Sequence, residues 1–105
     1  MEVVMQYMNN GIVEREIFVS DNEVFLIKDN KKIFISCDYE KRFNTLINLF
    51  GLKSEWVDED SEDPSYVISF KNSKEECSYS FDIDLPSNFL LFNSCIIGLL
   101  GDNYE

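Results

Sequence analysis

Carboxylates are the side chains of this sequence best suited to chemistry, and they concentrate in one segment. Between residues 55 and 63, six of nine residues are acidic and none is basic. These acidic residues are Glu55, Asp58, Glu59, Asp60, Glu62 and Asp63. After Lys74 the chain contains no Lys or Arg, and its later acidic residues include Glu75, Glu76, Asp82 and Asp84. Such carboxylates can bind divalent cations, transfer protons or attract a basic partner.

Cation binding is the first possibility for residues 58–63. An EF-hand loop requires Gly at its sixth position and a bidentate Glu at its twelfth. Counted from Asp58, these positions hold Asp63 and Ser69, so the loop is not an EF-hand. Weak divalent-ion binding by the clustered carboxylates is kept as an alternative function. The glycine-rich motifs that hold nucleotide phosphates are also missing, and no cofactor is predicted.

Catalysis is not expected from this sequence. Asp82 and Asp84 share one face of a predicted strand, but that polar face is expected to be solvated, whereas a catalytic carboxylate needs an apolar setting. The chain has no His to activate a Ser or Cys nucleophile. The thiols of Cys37, Cys77 and Cys95 lie in apolar runs or beside acids, where thiolates are disfavoured, and buried reduced thiols are predicted. We therefore predict a protein that is not an enzyme, with a small enzyme using the two aspartates as the alternative.

Recognition of a basic partner is the function class that the charge favours. The chain carries 20 acidic and 9 basic residues, a net charge of −11. A row of carboxylates on a rigid sheet can imitate nucleic-acid phosphates, whereas it repels anionic membranes and nucleic acids themselves. Because rim salt bridges contribute only about 0–1 kcal/mol each, apolar anchors are also needed. Trp56 and Tyr66 flank the acidic segment and are the predicted anchors, with burial of Trp56 in the core as the alternative.

Local patterns predict the elements that position these residues. In the first half, strands are predicted at residues 2–8, 12–19, 24–28 and 32–37. Asn9-Asn10-Gly11 separates the first pair and Asp29-Asn30-Lys31 the second, and these residue types are typical of hairpin turns. In the second hairpin the core candidates are Phe25, Ile27, Ile33 and Ile35.

A helix is predicted over residues 39–50, where apolar residues recur at helical spacing. Asp38 is the expected N-cap, and Gly51 is expected to end the helix in a left-handed conformation. The predicted buried stripe consists of Tyr39, Phe43, Leu46, Ile47 and Phe50.

The second half is predicted to return to strands, at residues 52–57, 65–71 and 77–85, with the acidic segment as an exposed loop between the first two. Residues 86–100 favour a helix buried nearly all round, and a central strand is the alternative. The stripe of that helix would be Phe89, Phe92, Ile96, Leu99 and Leu100. The whole chain, residues 1–105, is thus predicted to be one α+β domain. It would contain a mainly antiparallel sheet of about six or seven strands, a central helix and a C-terminal helix.

In size, acidity and missing catalytic groups, the chain resembles the small acidic immunity proteins of bacterial contact-dependent inhibition and related polymorphic toxin systems. Such a family implies a monomer that blocks a basic nuclease toxin domain in a 1:1 complex. Phage-encoded anti-CRISPR proteins have the same profile, and a nucleic-acid mimic of that type is the alternative. No residue role follows from the resemblance, so the predicted binding residues are the acidic and aromatic residues named above. The sequence has neither a signal-peptide pattern nor a membrane-spanning stretch, and a cytoplasmic location is expected.

Overall fold

The computed structural model describes residues 1–104, which form a six-stranded sheet and two α-helices. The strands are β1 (Glu2–Asn9), β2 (Ile12–Ser20), β3 (Val24–Lys28), β4 (Lys31–Ile35), β5 (Tyr66–Lys71) and β6 (Glu76–Phe81). The helices are α1 (Tyr39–Leu52) and α2 (Phe89–Leu100), and short 3₁₀ turns follow them at Lys53–Glu55 and Gly101–Tyr104. The predicted α+β class with a central and a C-terminal helix is confirmed.

Both predicted hairpin turns are present and have the same backbone geometry. Asn10 and Gly11 have φ values of 52° and 77°, and Asp29 and Asn30 have values of 54° and 60°. Two successive left-handed residues make a type I′ turn, whose twist matches that of the flanking strands. The second turn is a two-residue turn, so β4 begins at Lys31, one residue earlier than predicted.

The sheet is antiparallel throughout, in the order β4-β3-β2-β1-β5-β6. Strand β1 lies inside the sheet, where Met5 pairs with Ile17 of β2 on one side and with Ile68 of β5 on the other. Helix α1 and the segment after it therefore carry the chain from the β4 edge across the sheet to β5, which lies between β1 and the edge strand β6. The strand predicted at residues 52–57 is wrong, because α1 continues to Leu52 and a 3₁₀ turn follows.

Helix α1 begins as predicted, and its end differs from the prediction. The carboxylate of Asp38 accepts the backbone N–H of Lys41 at 2.7 Å, which confirms the N-cap. Gly51 lies inside the last helical turn and not in a left-handed terminal position. The C-terminal residues are capped instead by the backbone N–H of Lys53, which binds the carbonyl groups of Leu49 and Gly51.

The buried face of α1 is rotated from the predicted stripe. Leu46 and Leu49 are fully buried, whereas Tyr39 and Ile47 are 60% and 47% exposed. The buried face extends toward the N-terminus to Arg42, whose guanidinium donates to the carbonyl oxygens of Asp21 and Cys37. Long charged side chains can bury their aliphatic stems. A buried stripe predicted from apolar residues alone therefore omits a residue such as Arg42.

The core lies between the two helices and one face of the sheet. Helix α2 supplies its predicted stripe, Phe89, Phe92, Ile96, Leu99 and Leu100, all of them buried. The prediction that α2 would be buried nearly all round is wrong, since Leu90 is 80% exposed. The sheet contributes Val3, Met5, Ile17, Val19, Val24, Leu26, Ile35, Ile68, Phe70 and Phe81. The three cysteines are free and half-buried at the margin of this core.

Two of the four core candidates in the second hairpin lie on the other face of the sheet. Side chains alternate along a strand, and Val24 and Leu26 are the core residues of β3. Phe25 and Ile27 therefore point to the face that no helix covers, where Phe25 is nonetheless buried and stacks on Phe18. Ile35 joins the core, whereas Ile33 is 38% exposed near the free edge of β4.

Candidate partner-binding surface

Trp56 follows the 3₁₀ turn and inserts into the core. Its side chain is 7% exposed, and its ring centroid lies 4.8 Å from that of Phe92 and 5.3 Å from that of Phe81. The indole Nε1–H donates to Oδ1 of Asn88 at 2.6 Å, which satisfies its polar atom. The prediction that Trp56 anchors a partner is therefore wrong. Trp56 is a core residue, which was the alternative prediction.

Tyr66, the second expected anchor, also packs against other residues of the chain. Its half-buried ring lies 4.8 Å from that of Phe89 and meets the ring of Tyr7 edge-on at 5.6 Å. It belongs to the partly buried residues that pack against the core. Neither predicted aromatic anchor thus presents a free ring to a partner.

Part of the acidic segment is bound to the outer edge of β6. Asp58 Oδ1 accepts the backbone N–H of Ser80 at 2.8 Å, the Ser80 hydroxyl at 3.1 Å and the N–H of Asp60 at 3.0 Å. These hydrogen bonds, with the Ser80 N–H as the largest cause, hold the pKa of Asp58 below its ordinary value. The carboxylate of Glu59 accepts the next outward N–H, that of Asp82. Two carboxylates thus occupy backbone donors that an edge strand would otherwise expose.

Beyond β6 the predicted strand does not continue, and its apolar residues are exposed. Tyr66, the first residue of β5, pairs with Phe81, so residues after Phe81 have no neighbouring strand. Ile83 is 83% exposed and Leu85 is 41% exposed, although both lie on the apolar side of the alternation in residues 77–85. Val57, one residue before Asp58, is 81% exposed.

A shallow groove of about 410 Å³ joins two of these apolar residues, Val57 and Leu85, to the acidic segment. Its lining includes five of the predicted binding residues, Glu55, Trp56, Asp58, Glu59 and Asp84, together with Val57, Leu85, Pro86, Ser87 and Asn88. Asp82 lies beside it, fixed by the hydroxyl of Ser65, which donates to Oδ1 at 2.7 Å. We call this surface the acidic groove, defined by these residues and Ile83. Exposed Asp60, Glu62 and Asp63 follow Glu59 in the adjoining loop.

Glu75 and Glu76 are not part of the acidic groove. Glu76 begins β6 and Glu75 precedes it, whereas Asp82 follows the end of the strand, roughly 20 Å from Glu76 at the rise of a strand. Glu75 also forms an ion pair with Lys53, with the Nζ atom 2.7 Å from the carboxylate. This hydrogen bond to Glu75 is the largest cause of the raised pKa of Lys53. The predicted site therefore divides between two ends of the β5–β6 hairpin.

The exposed apolar residues were missed by sequence reasoning for an identifiable reason. Ile83 and Leu85 extend the alternation of β6, so the pattern alone assigns them to the core. The available signal was the length of β5, since a partner strand that begins only after Pro64 cannot pair with residues beyond Phe81. For Val57, the sequence offered no indication of exposure other than its position between Trp56 and Asp58.

No protein-family model, curated protein or solved structure matches this chain. Neither helix in residues 1–104 combines the length and apolar character needed to cross a bilayer. Within the same described part, no three or more His, Cys, Asp or Glu side chains come together in a way that could hold a metal ion.

Proposed function

We propose that this protein is a non-catalytic inhibitor that binds and neutralises a basic partner through the acidic groove. In the specific form of this proposal, it is a cytoplasmic immunity protein that blocks the active site of a cognate nuclease toxin as a monomer in a 1:1 complex. The single observation that carries the proposal is the exposure of Val57 and Ile83, 81% and 83%, beside carboxylates held by hydrogen bonds.

Exposed apolar side chains within an acidic rim suit a surface that binds tightly. Burial of apolar area supplies affinity at the centre of an interface, while polar groups at the rim exclude water and set specificity. Val57, Ile83 and Leu85 can supply that centre. Asp84 and Glu55 belong to the same groove and can supply the rim.

The position of the acidic groove also supports attraction to a cationic surface. Asp60, Glu62 and Asp63 are exposed in a loop beside the groove, and no Lys or Arg lies in residues 54–70. A field of one sign raises association rates by about 10–10³-fold. A nuclease must hold nucleic-acid phosphates with Lys and Arg, and carboxylates on a rigid edge can occupy the same cations.

The experiment begins with capture of the partner from a lysate of the native host at low salt, using the wild-type chain as bait. A captured protein that is basic, has nuclease activity and loses that activity with one equivalent of this chain supports the proposal. The matched baits are Asp60→Lys/Glu62→Lys/Asp63→Lys and Glu23→Lys/Glu40→Lys/Asp102→Lys, which change the net charge equally at exposed positions.

The first triple variant should associate more slowly and with a weaker dependence on salt, and the second should behave like the wild type. Equal association rates for both variants at low ionic strength would contradict attraction of the partner by the loop beside the acidic groove. A captured partner that has no nuclease activity would contradict the immunity form of the proposal.

A further inference from the structure

The two edge strands of the sheet, β6 and β4, differ in whether their outward backbone groups form hydrogen bonds. At β6, the carboxylates of Asp58 and Glu59 bind outward N–H groups. At the opposite edge, β4 pairs with β3 alone, and no loop backbone among residues 1–104 forms a hydrogen bond with its outer side. An edge strand with free N–H and C=O groups is a template for another strand.

The side chains of β4 are unusual for a protected edge. Phe34 is 63% exposed and points to the open face of the sheet, and Ile33 is 38% exposed on the other face. Phe34 extends an aromatic row across three strands, since its ring lies 6.0 Å from that of Phe25, which stacks on Phe18 at 4.6 Å. This row is separate from the main core and has no helix above it.

The charge of this edge is opposite to that of the rest of the chain. Residues 24–37 contain three Lys and one acidic residue, in a protein whose net charge is −11. The Nζ atom of Lys32 lies 4.1 Å from the ring centroid of Phe25 and 4.9 Å from that of Phe34. Lys32 thus lies along the aromatic row. A lysine that prevents pairing at an edge strand would instead extend beyond the strand into solvent.

We propose that β4 accepts an extended acidic segment of a partner protein by β-strand addition. Residues directly opposite across two strands share a face, so the added strand needs acidic residues opposite Lys31 and Lys32 and apolar residues opposite Ile33, Phe34 and Ile35. Charge complementarity selects this occupant over a second copy. In an antiparallel pair of β4 strands centred on Ile33, Lys31 and Lys32 would lie opposite Ile35 and Phe34, so a second copy supplies no carboxylate opposite the lysines.

A short peptide tests this surface directly. In antiparallel register the complementary sequence is Val-Tyr-Val-Glu-Glu, and the matched control is Val-Tyr-Val-Lys-Lys, both acetylated and amidated. Titration into the ¹⁵N-labelled protein should give saturable amide shifts in β3 and β4 with the Glu peptide. Two cross-strand charge pairs predict binding about tenfold weaker for the Lys peptide.

Two variants complete the test, and both alter exposed side chains. Lys31→Glu/Lys32→Glu should reverse the peptide preference, and Phe34→Ser should weaken binding of the Glu peptide. Absence of saturable shifts, equal binding of both peptides, or shifts confined to the acidic groove would overturn the proposal. A dimer in light scattering that Phe34→Ser dissociates would also overturn it, in favour of a second copy. Because the acidic groove is at the other edge, none of these outcomes bears on the proposed inhibitor function.

Discussion

Asp58 and Ser80 connect the acidic segment to the sheet: one carboxylate oxygen accepts both the backbone N–H, at 2.8 Å, and the hydroxyl, at 3.1 Å. A residue that sequence reasoning assigned to long-range attraction is thus also a structural part of the fold. The acidic segment therefore has two parts. Asp58 and Glu59 bind the β6 edge, whereas Asp60, Glu62 and Asp63 are exposed to solvent.

The first prediction concerns the structural role of Asp58. Asp58→Ala should lower the free energy of unfolding by about 1 kcal/mol, because it removes a charged acceptor from an edge N–H. Asp63→Ala is the matched control, since it removes an equal charge from the same loop and should change stability by less. Urea denaturation measures both, and equal effects would mean that only net charge matters.

The stabilising effect of Asp58 should depend on pH. Its pKa is lowered in the folded state, so its contribution is fully present above the unfolded value, near 3.8, and is lost as pH falls through the folded value. The stability difference between wild type and Asp58→Ala should therefore be constant near neutrality and shrink in acid. Urea denaturation across a pH series measures this difference, and a difference that grows on acidification would contradict the assignment.

Asn88 should be a structural residue of the acidic groove. Its Oδ1 accepts the indole N–H of Trp56 at 2.6 Å, and its Nδ2 donates to the Leu52 carbonyl at 2.7 Å. Asn88→Ala leaves a buried donor without a partner and should cost about 1–3 kcal/mol. Ser87→Ala at an exposed neighbouring position is the control. Since Trp56 is the only tryptophan, its fluorescence reports unfolding in both variants, and equal midpoints would contradict this role.

Exposed apolar residues should determine how long the partner stays bound. Val57→Ser and Ile83→Ser should leave the melting temperature nearly unchanged and raise the dissociation rate about tenfold or more. Phe34→Ser, at the opposite edge of the sheet, is the control and should leave that rate unaltered. Surface plasmon resonance with the captured partner measures these rates. Unaltered rates for the groove variants would place the interface elsewhere.

Glu75 should contribute to the fold and not to partner binding. Its ion pair with Lys53 is half-exposed, so Glu75→Gln should cost less than about 1 kcal/mol. The pKa of Lys53 is raised, so the effect is present at neutral pH and disappears as pH rises through the folded pKa, above 10.5. Urea denaturation measures the stability change. If Glu75→Gln slowed association with the partner as much as Asp63→Lys does, Glu75 would have to be part of the binding surface.

The parts of the fold that the sequence predicted are those with local causes. Both hairpin turns follow from residue types that accept left-handed conformations, and Asp38 begins α1 through a bond three residues away. The stripe of α2 was also correct, because its five apolar residues recur at helical spacing, although further apolar residues such as Leu90 wrongly predicted burial nearly all round.

The parts that differed depend on neighbours that are distant in sequence. Phe25 has the residue type of a core position, yet pairing places Val24 and Leu26 on the covered face. Ile83 continues a strand pattern, yet β5 is too short to pair with it. For the acidic groove, sequence located the carboxylates and misassigned the anchors, because burial of an aromatic ring is decided by tertiary packing.

The interior position of β1 has a consequence for folding kinetics. Its pairing with β2 closes through a two-residue turn, whereas its pairing with β5 joins Met5 to Ile68 and requires α1 to cross the sheet first. Contacts between distant residues form slowly because loop closure costs entropy before they form. The β1–β4 meander is therefore the expected nucleus, and the β5–β6 hairpin, which carries the end of the acidic groove, is expected to dock late in the transition.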